Sequence, residues 1–451
     1  MAKPSLVDVK QIYPRRRTYL DYLEGVEKLR PFYKYYPADK RTLGARVEEL
    51  AGELKGSAEL SDALVKYNRQ VGAGARSLEN ARLLGQGQTL AVVTGQQAGF
   101  AGGPLYCVYK AISAIKLAEY LHSVTAKPVV PVFWIASEDA NLREVNRAAG
   151  IDRQGRFRKI RASLPDTRRQ ICTLSTDQAV LAAFDELMDL LPVTEFRSHW
   201  QDLYKPNDNE PWGRWFGRIY AQLFAEQGLV LLEPHIVYPH AGEIFSRMVS
   251  RFADLQQTFD RSTAAVIDRA YVPQISPKSR LTLYAVHNGR RQPINLGSPD
   301  DNFSPRELSC SVMFRSIVQD FLLPTVAYVA GPGEIAYFAQ LTELYKQLDV
   351  PMPVIWPRSS MTLLQPDIAC LLEKSSLGEQ EFFCESAPDV PDEQLTQNQL
   401  QTIRLSFRPR GQPQERVFPL LAYLVYYGQS VLNQIIEQTD VFDFRHRIVY
   451  L

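Results

Sequence analysis

Cysteine is scarce and scattered in this chain. Its 451 residues hold five, Cys107, Cys172, Cys310, Cys370 and Cys384, with no CxxC pair among them, so neither a zinc knuckle nor a disulfide framework is indicated. The six histidines form no HExxH and fall outside the glycine-punctuated loops, which leaves no metal site and no nucleophilic triad to assemble. An excess of charge is missing too. With 51 basic against 50 acidic residues the net charge is +1, so no electrostatic footprint for nucleic acid or an anionic membrane is expected. No apolar run approaches the roughly 18 residues of a membrane-spanning helix. The opening MAKPSLVDVKQIYPRRR lacks the apolar core of a signal peptide. At 45% hydrophobic and 22% charged, the composition is that of a globular chain, long enough for roughly two to three domains. The expectation is a soluble, cytoplasmic protein.

What is present is a change of rhythm. Residues 1–88 read as a helical segment packing on a core, since the stretch from Arg46 to Val71 spaces its apolar residues three and four apart. From Leu90, strand and helix alternate. LAVV (Leu90 to Val93) is a short apolar strand, TGQQAGFAGGP a Gly-rich polar loop, and Leu105 to Leu121 a long helix. KPVVPVFWIAS (Lys127 to Ser137) is a second buried strand, although Pro131 counts against its first half. The same order returns between Leu322 and Leu364 as strand, Gly-Pro-Gly loop, helix and strand. Strands alternating with helices define an α/β fold, a doubly wound parallel sheet. The expected organisation is the helical segment 1–88, a first part of the core at 89–155, an inserted connecting region at 156–315, a second part of the core at 316–366, and a linker with a C-terminal helical segment at 367–451. Within the insertion, the Asn288-Gly289 pair between two β-like runs predicts a hairpin. Residues 375–416 predict a linker or weak helix, and Phe418 to Gln438 an amphipathic helix.

In such a sheet, ligands sit outside the carboxyl ends of the strands, beside helix N-termini. Four polar loops meet that condition. In the first, Thr94 to Pro104, the glycines Gly95, Gly99, Gly102 and Gly103 would let the backbone approach a ligand or take positive φ. Gln96 and Gln97 offer neutral donors and acceptors for sugar hydroxyls, amides or carboxylates, while Lys110 in the following helix either reaches a phosphate or is simply solvated. In the second, Ser137 to Asn141, Glu138 and Asp139 bind an amine or Mg²⁺, act as a general base, or merely favour a helix start. In the third, Gly331-Pro332-Gly333 forms a rigid wall free of side chains, and Tyr337 shares a helix face with Glu334. In the fourth, Trp356 to Thr362, Arg358 with Ser359 and Ser360 would bind a phosphate or carboxylate. Cys107 reads as a buried core residue. None of the loops has the Walker or GxGxxG pattern.

With these loops in hand, VVTGQQAGFAGGPLYCVYKAISAIKLA, PVVPVFWIASED, LLPTVAYVAGPGEIAYFAQL and MPVIWPRSSMTLL together resemble the BshC family, the cysteine-adding enzymes of bacillithiol biosynthesis. RPFYKYYP near the start and FDFRHRIVYL at the end fit the same family, so the resemblance spans nearly the whole chain. It implies a Rossmann-like core akin to class I aminoacyl-tRNA synthetases, with inserted connecting segments and a helical coiled-coil arm that dimerises. The implied reaction joins cysteine to glucosaminyl-malate through an amide bond, and its class implies ATP with Mg²⁺. That chemistry suits the reading of the loops, in which Glu138 and Asp139 would be catalytic. Gln96, Gln97, Gly99, Asn141, Gly331, Gly333, Glu334 and Tyr337 would bind substrate, and Lys110, Arg358, Ser359 and Ser360 would bind phosphate or carboxylate. Two departures stand out. The family reads Glu-Asp-His-Asp where this chain has Glu138-Asp139-Ala140-Asn141, and commonly has histidine at Arg147; this leaves a diverged, non-ligating binder of small molecules or nucleotides as the alternative. The segment from Ser375 to Glu415 is shorter than the family arm and carries no sustained heptads, which argues against a homodimer built on it.

Overall fold

The computed structural model describes residues 4–37, 39, 41–50, 52, 54, 56–152, 154–164, 169–294, 307–375, 377–383 and 395–451. In chain order the strands are β1 (Ser5–Val7), β2 (Leu90–Gln96), β3 (Val129–Ile135), β4 (Arg147–Ile151), β5 (Phe157–Arg161), β6 (Val230–Leu232), β7 (Leu283–His287), β8 (Arg290–Pro293), β9 (Leu308–Cys310), β10 (Thr325–Ala330), β11 (Val354–Pro357), β12 (Met361–Leu364) and β13 (His446–Tyr450). Five of them form an all-parallel sheet in the order β11-β10-β2-β3-β6. A second sheet, β1-β13-β12, joins segments far apart in sequence.

The continuous apolar runs follow from burial on both faces. Leu90 and Val92 belong to one hydrophobic cluster, with Leu117, Leu121 and Trp356. The alternate residues Ala91 and Val93 belong to another, with Tyr22, Leu60 and Leu64. The helix Leu105–Thr125 carries apolar residues all round, and 13 of its 21 residues are buried, so it lies within the protein rather than on it.

Pro131 sits in mid-strand, contrary to the usual exclusion of proline from central strands. The register explains this. Ala136 donates to the carbonyl of Gln96, so even-numbered residues of β3 donate toward β2 and Pro131 faces the other flank. There, pairing with β6 begins only at Val132, so no donor is missed.

Several expected boundaries shift. β2 extends to Gln96, three residues past the expected end, so both loop glutamines start at the strand mouth. The segment 156–315, expected as an insertion, supplies the edge strand β6 itself. The Asn288-Gly289 hairpin forms with φ of 50° and 73°, the positive values a type I′ turn needs. Within 375–416, Thr396 and Gln399 cap an 11-residue helix, Gln397–Phe407. The terminal helix breaks at Gly428, where φ is 65°, into Leu420–Tyr427 and Gln429–Gln438. Among the described residues no helix is long and apolar enough to cross a membrane.

β3 and β6 lie on one side of β2, β10 and β11 on the other. The connections leave β2 in opposite directions, and the crevice this creates at the carboxyl ends is where ligands bind in open parallel sheets.

Candidate active site

A cavity of about 510 Å³ opens at that crevice. It draws Gln96 and Gln97 from the first loop, Glu138 and Asp139 from the second, and Gly331, Gly333, Glu334 and Tyr337 from the third. The fourth loop contributes only Arg358. Asn141 is exposed and lies outside it.

Lys110 forms the floor, and neither the solvated nor the phosphate-binding expectation holds. It is 1% exposed, because the helix that carries it has no polar face. Its Nζ lies 2.6 Å from Glu334 and also donates to the carbonyl of Gly95 and to Gln96 Oε1, so its three donors are occupied. Burial draws the lysine down from its ordinary pKa, with Glu334 pulling it back. Burial alone would raise Glu334, but Lys110 and the N–H of Gly331 hold its carboxyl below the usual range.

Glu138 is held from three directions. Ser137 donates to Glu233, Cys172 N–H to the Ser137 carbonyl, and Arg291 to the Glu138 carbonyl at 3.0 Å. The Glu138 side chain is buried, and its Oε2 has no hydrogen-bond partner. Burial pushes its pKa up, against the opposing pull of Arg315 and Arg291. Asp139 behaves differently: it accepts from the N–H groups of Ala140 and Asn141 and from Gln97 Nε2 at 2.7 Å. Gln97 Nε2 also donates to Glu144 at 2.7 Å, so both amide hydrogens are spent on carboxylates. Gln97 therefore braces the loop, where a sugar-binding amide was expected.

The glycines also divide. A Cβ on Gly95 would lie 2.8 Å from the carbonyl of Trp134, and one on Gly99 2.7 Å from Gly103 Cα, so these two serve close packing. Gly95→Ala is expected to lower stability by about 1–3 kcal/mol, read as an earlier thermal unfolding transition. At Gly331 and Gly333 a Cβ would meet only ordinary contacts of 3.5 Å or more, so the bare wall there is cavity space rather than packing. The N-terminus of the helix Leu105–Thr125 is partly closed, since Leu105 N–H donates to Phe418.

The phosphate-binding expectation for Arg358, Ser359 and Ser360 is corrected by their surroundings. Arg358 makes a bidentate ion pair with Glu415 at 2.5 and 3.0 Å, and both groups are buried. Tyr13 donates to the same carboxylate. Ser360 donates to Glu415 and meets His446, whose other ring nitrogen meets Thr362. Ser359 is turned inward, where Asp440 accepts from its hydroxyl. Cys107 is a core residue, as expected, its thiol pushed by burial up to about 12.

Two arginines absent from the sequence reading take the place of that trio. Arg291 lies over the ring of Tyr284 at 4.0 Å. Arg315, from the helix Val312–Leu322, lines the cavity and makes no salt bridge among the described residues. A signal existed for Arg315: it is the one charge between Val312 and Gln319, in a stretch otherwise rich in apolar residues.

A parallel sheet whose strand ends open onto a buried acid and an arginine without a salt bridge among the described residues is the arrangement of a Rossmann-like α/β enzyme. Comparison with known proteins gives the family. The model described as the N-terminal Rossmann-like domain of bacillithiol biosynthesis BshC matches residues 7–304 and 300–359, and that of its C-terminal coiled-coil domain matches 393–451. A protein from Symbiobacterium thermophilum is 33% identical, over 92% of this chain and 82% of its own. One from Desulforamulus reducens is 28% identical, over 95% and 96%. Both carry the name "Putative cysteine ligase BshC". The chain belongs to the BshC family of bacillithiol biosynthesis. Nothing in these relatives favours the diverged, non-ligating alternative. A Bacillus cytotoxicus relative aligns over 545 positions, covering 99% of this 451-residue chain and all of its own, so it carries segments this chain lacks. In the region matched by the coiled-coil model, the described α-helices are 11, 8 and 10 residues long.

Proposed function

We propose that this protein joins L-cysteine to glucosaminyl-malate through an amide bond. The observation that carries the reading is Glu138: a buried carboxyl whose Oε2 has no hydrogen-bond partner among the described residues, in a cavity that also holds Arg315, which makes no salt bridge among them. Amide formation needs an uncharged amine to attack an activated carboxyl. A carboxylate with a raised pKa is suited to take a proton from that amine. Arg315 would hold the cysteine carboxylate, because guanidinium matches carboxylate geometry in a way that an ammonium does not. Asp139, fixed by Gln97 and two backbone amides, keeps the loop in register.

ATP with Mg²⁺ is the cofactor implied by the reaction, and it supplies activation of the carboxyl group. The residues present fit it in chemistry. The bare wall at Gly331 and Gly333 leaves room beside Arg315 for phosphate oxygens, and Mg²⁺ commonly uses only one or two carboxylates with phosphates, a place Asp139 would fill while Glu138 stays free as the base. Purified protein given cysteine, glucosaminyl-malate and ATP is expected to release a product whose mass is the sum of the two substrates less one water. No such product, with cysteine and glucosaminyl-malate recovered unchanged, would refute the reaction.

A further inference from the structure

Behind Gln96 and Gln97 lies a second cavity of about 390 Å³, which the chemistry above does not use. One wall is the β4–β5 ribbon. Its register sets Arg147 opposite Arg161 and Ala149 opposite Lys159, so all three basic side chains share one face with Phe157. The other face, with Ala148 and Ile160 buried, packs inward. Like charges directly opposed on a ribbon are unfavourable. Facing them across the cavity are Arg410 and Arg416, from the segment between the helices Gln397–Phe407 and Leu420–Tyr427. Arg410 holds φ at 52°, and its guanidinium lies over Phe157 at 5.2 Å.

Arg147, Lys159, Arg410 and Arg416 thus line one cavity against a single carboxylate among the described residues, Glu144, which is already taken by Gln97. None of the four makes a salt bridge among the described residues. In a chain whose net charge is only +1, this convergence of positive charge is local. Burial first, then the neighbouring Arg147, Arg161 and Arg410, push the Lys159 amine down from its ordinary value, and an opposing anion would relieve the second of these.

We propose that this cavity is a binding site for a small dicarboxylate, and that it seats the malate end of the acceptor while Gln96 and Gln97 partition it from the cavity that holds Glu138. Assignment to the acceptor rests on the function proposed above; the anion site itself does not. Two carboxylates set against four cations suit the charge, and the two cavities meet at Gln96, Gln97, Tyr106 and Arg416, so a molecule anchored in the second can present its amine to the first. The same chemistry would admit the phosphates of a nucleotide, so the test separates the two.

Calorimetric titration of the full chain with L-malate, with acetate and with ADP reads the site without turnover. Malate is expected to bind and acetate not to, with affinity falling as salt rises. In Lys159→Gln/Arg410→Gln, malate affinity should fall by about tenfold or more, each lost charge-assisted hydrogen bond contributing at that scale. In ligation assays the same variant should raise KM for glucosaminyl-malate by about tenfold, leaving KM for cysteine and the thermal transition unchanged. Malate that fails to bind the wild type, or binds the variant equally well, overturns the site. So does a variant that loses ADP affinity while keeping malate affinity. Charge-dependent malate binding in a protein that forms no amide product would overturn the reaction proposed above and leave the dicarboxylate site standing.

Discussion

Glu138→Gln is expected to lower kcat/KM for ligation by about 10²–10⁴-fold, the range typical of a lost general base. The fold should survive the change. Burial already disfavours the charged form of Glu138, so a neutral amide of the same shape removes a desolvation penalty. The pH profile carries the sign. The base works when deprotonated, so the wild-type rate should rise with pH through a limb lying above the ordinary carboxylate range, and that limb should vanish in the glutamine variant. Thermal unfolding measured beside initial rates separates chemistry from stability. A variant within threefold of wild type, with the limb intact, would remove Glu138 from the mechanism.

Arg358→Ala should act in the opposite way, through stability. It leaves the buried Glu415 with Tyr13 and Ser360 but no countercharge, and removing one partner of such a pair destabilises by about 3–5 kcal/mol. Arg358→Met combined with Glu415→Leu should recover most of that loss, because a buried pair and its apolar replacement differ little. Denaturant unfolding of the three proteins measures both effects. If Arg358 instead bound substrate, the single variant would raise a KM and leave unfolding unchanged. Acid should weaken the same region in two stages. Burial lowers His446 to about 4 from 6.5, so the stability of its neutral form is lost as pH falls from 6.5 toward 4. Burial would raise Glu415, but Arg358 outweighs it and sets the carboxyl at about 2, so the contribution of its charged form is lost as pH falls below 4.5.

These contrasts mark what could be read from the sequence. Strand and helix order was legible because strands covered on both faces must be apolar at every position, and loops at their ends must then be polar. Glu138 was legible for that reason. Lys110 was misjudged because helical periodicity has no phase when a helix is apolar all round; a lysine there has no wet face to occupy. Arg358 was misjudged because its partners, Glu415 and Tyr13, lie 57 and 345 residues away, and no local pattern reports pairing at that range. Arg291 and Arg315 were missed because they come from the segment read as an insertion, and side chains from an insertion reach a site through tertiary packing alone.

The sheet β1-β13-β12 has a further consequence. Its middle strand is His446–Tyr450, flanked by Ser5–Val7 and Met361–Leu364. Residues 5–7 thus have no strand partner until residues 446–450 have emerged from the ribosome. A fragment stopping near residue 359 would lack both β12 and β13 and leave Ser5–Val7 as an unpaired strand open to any passing extended peptide, a ready seed for misassembly.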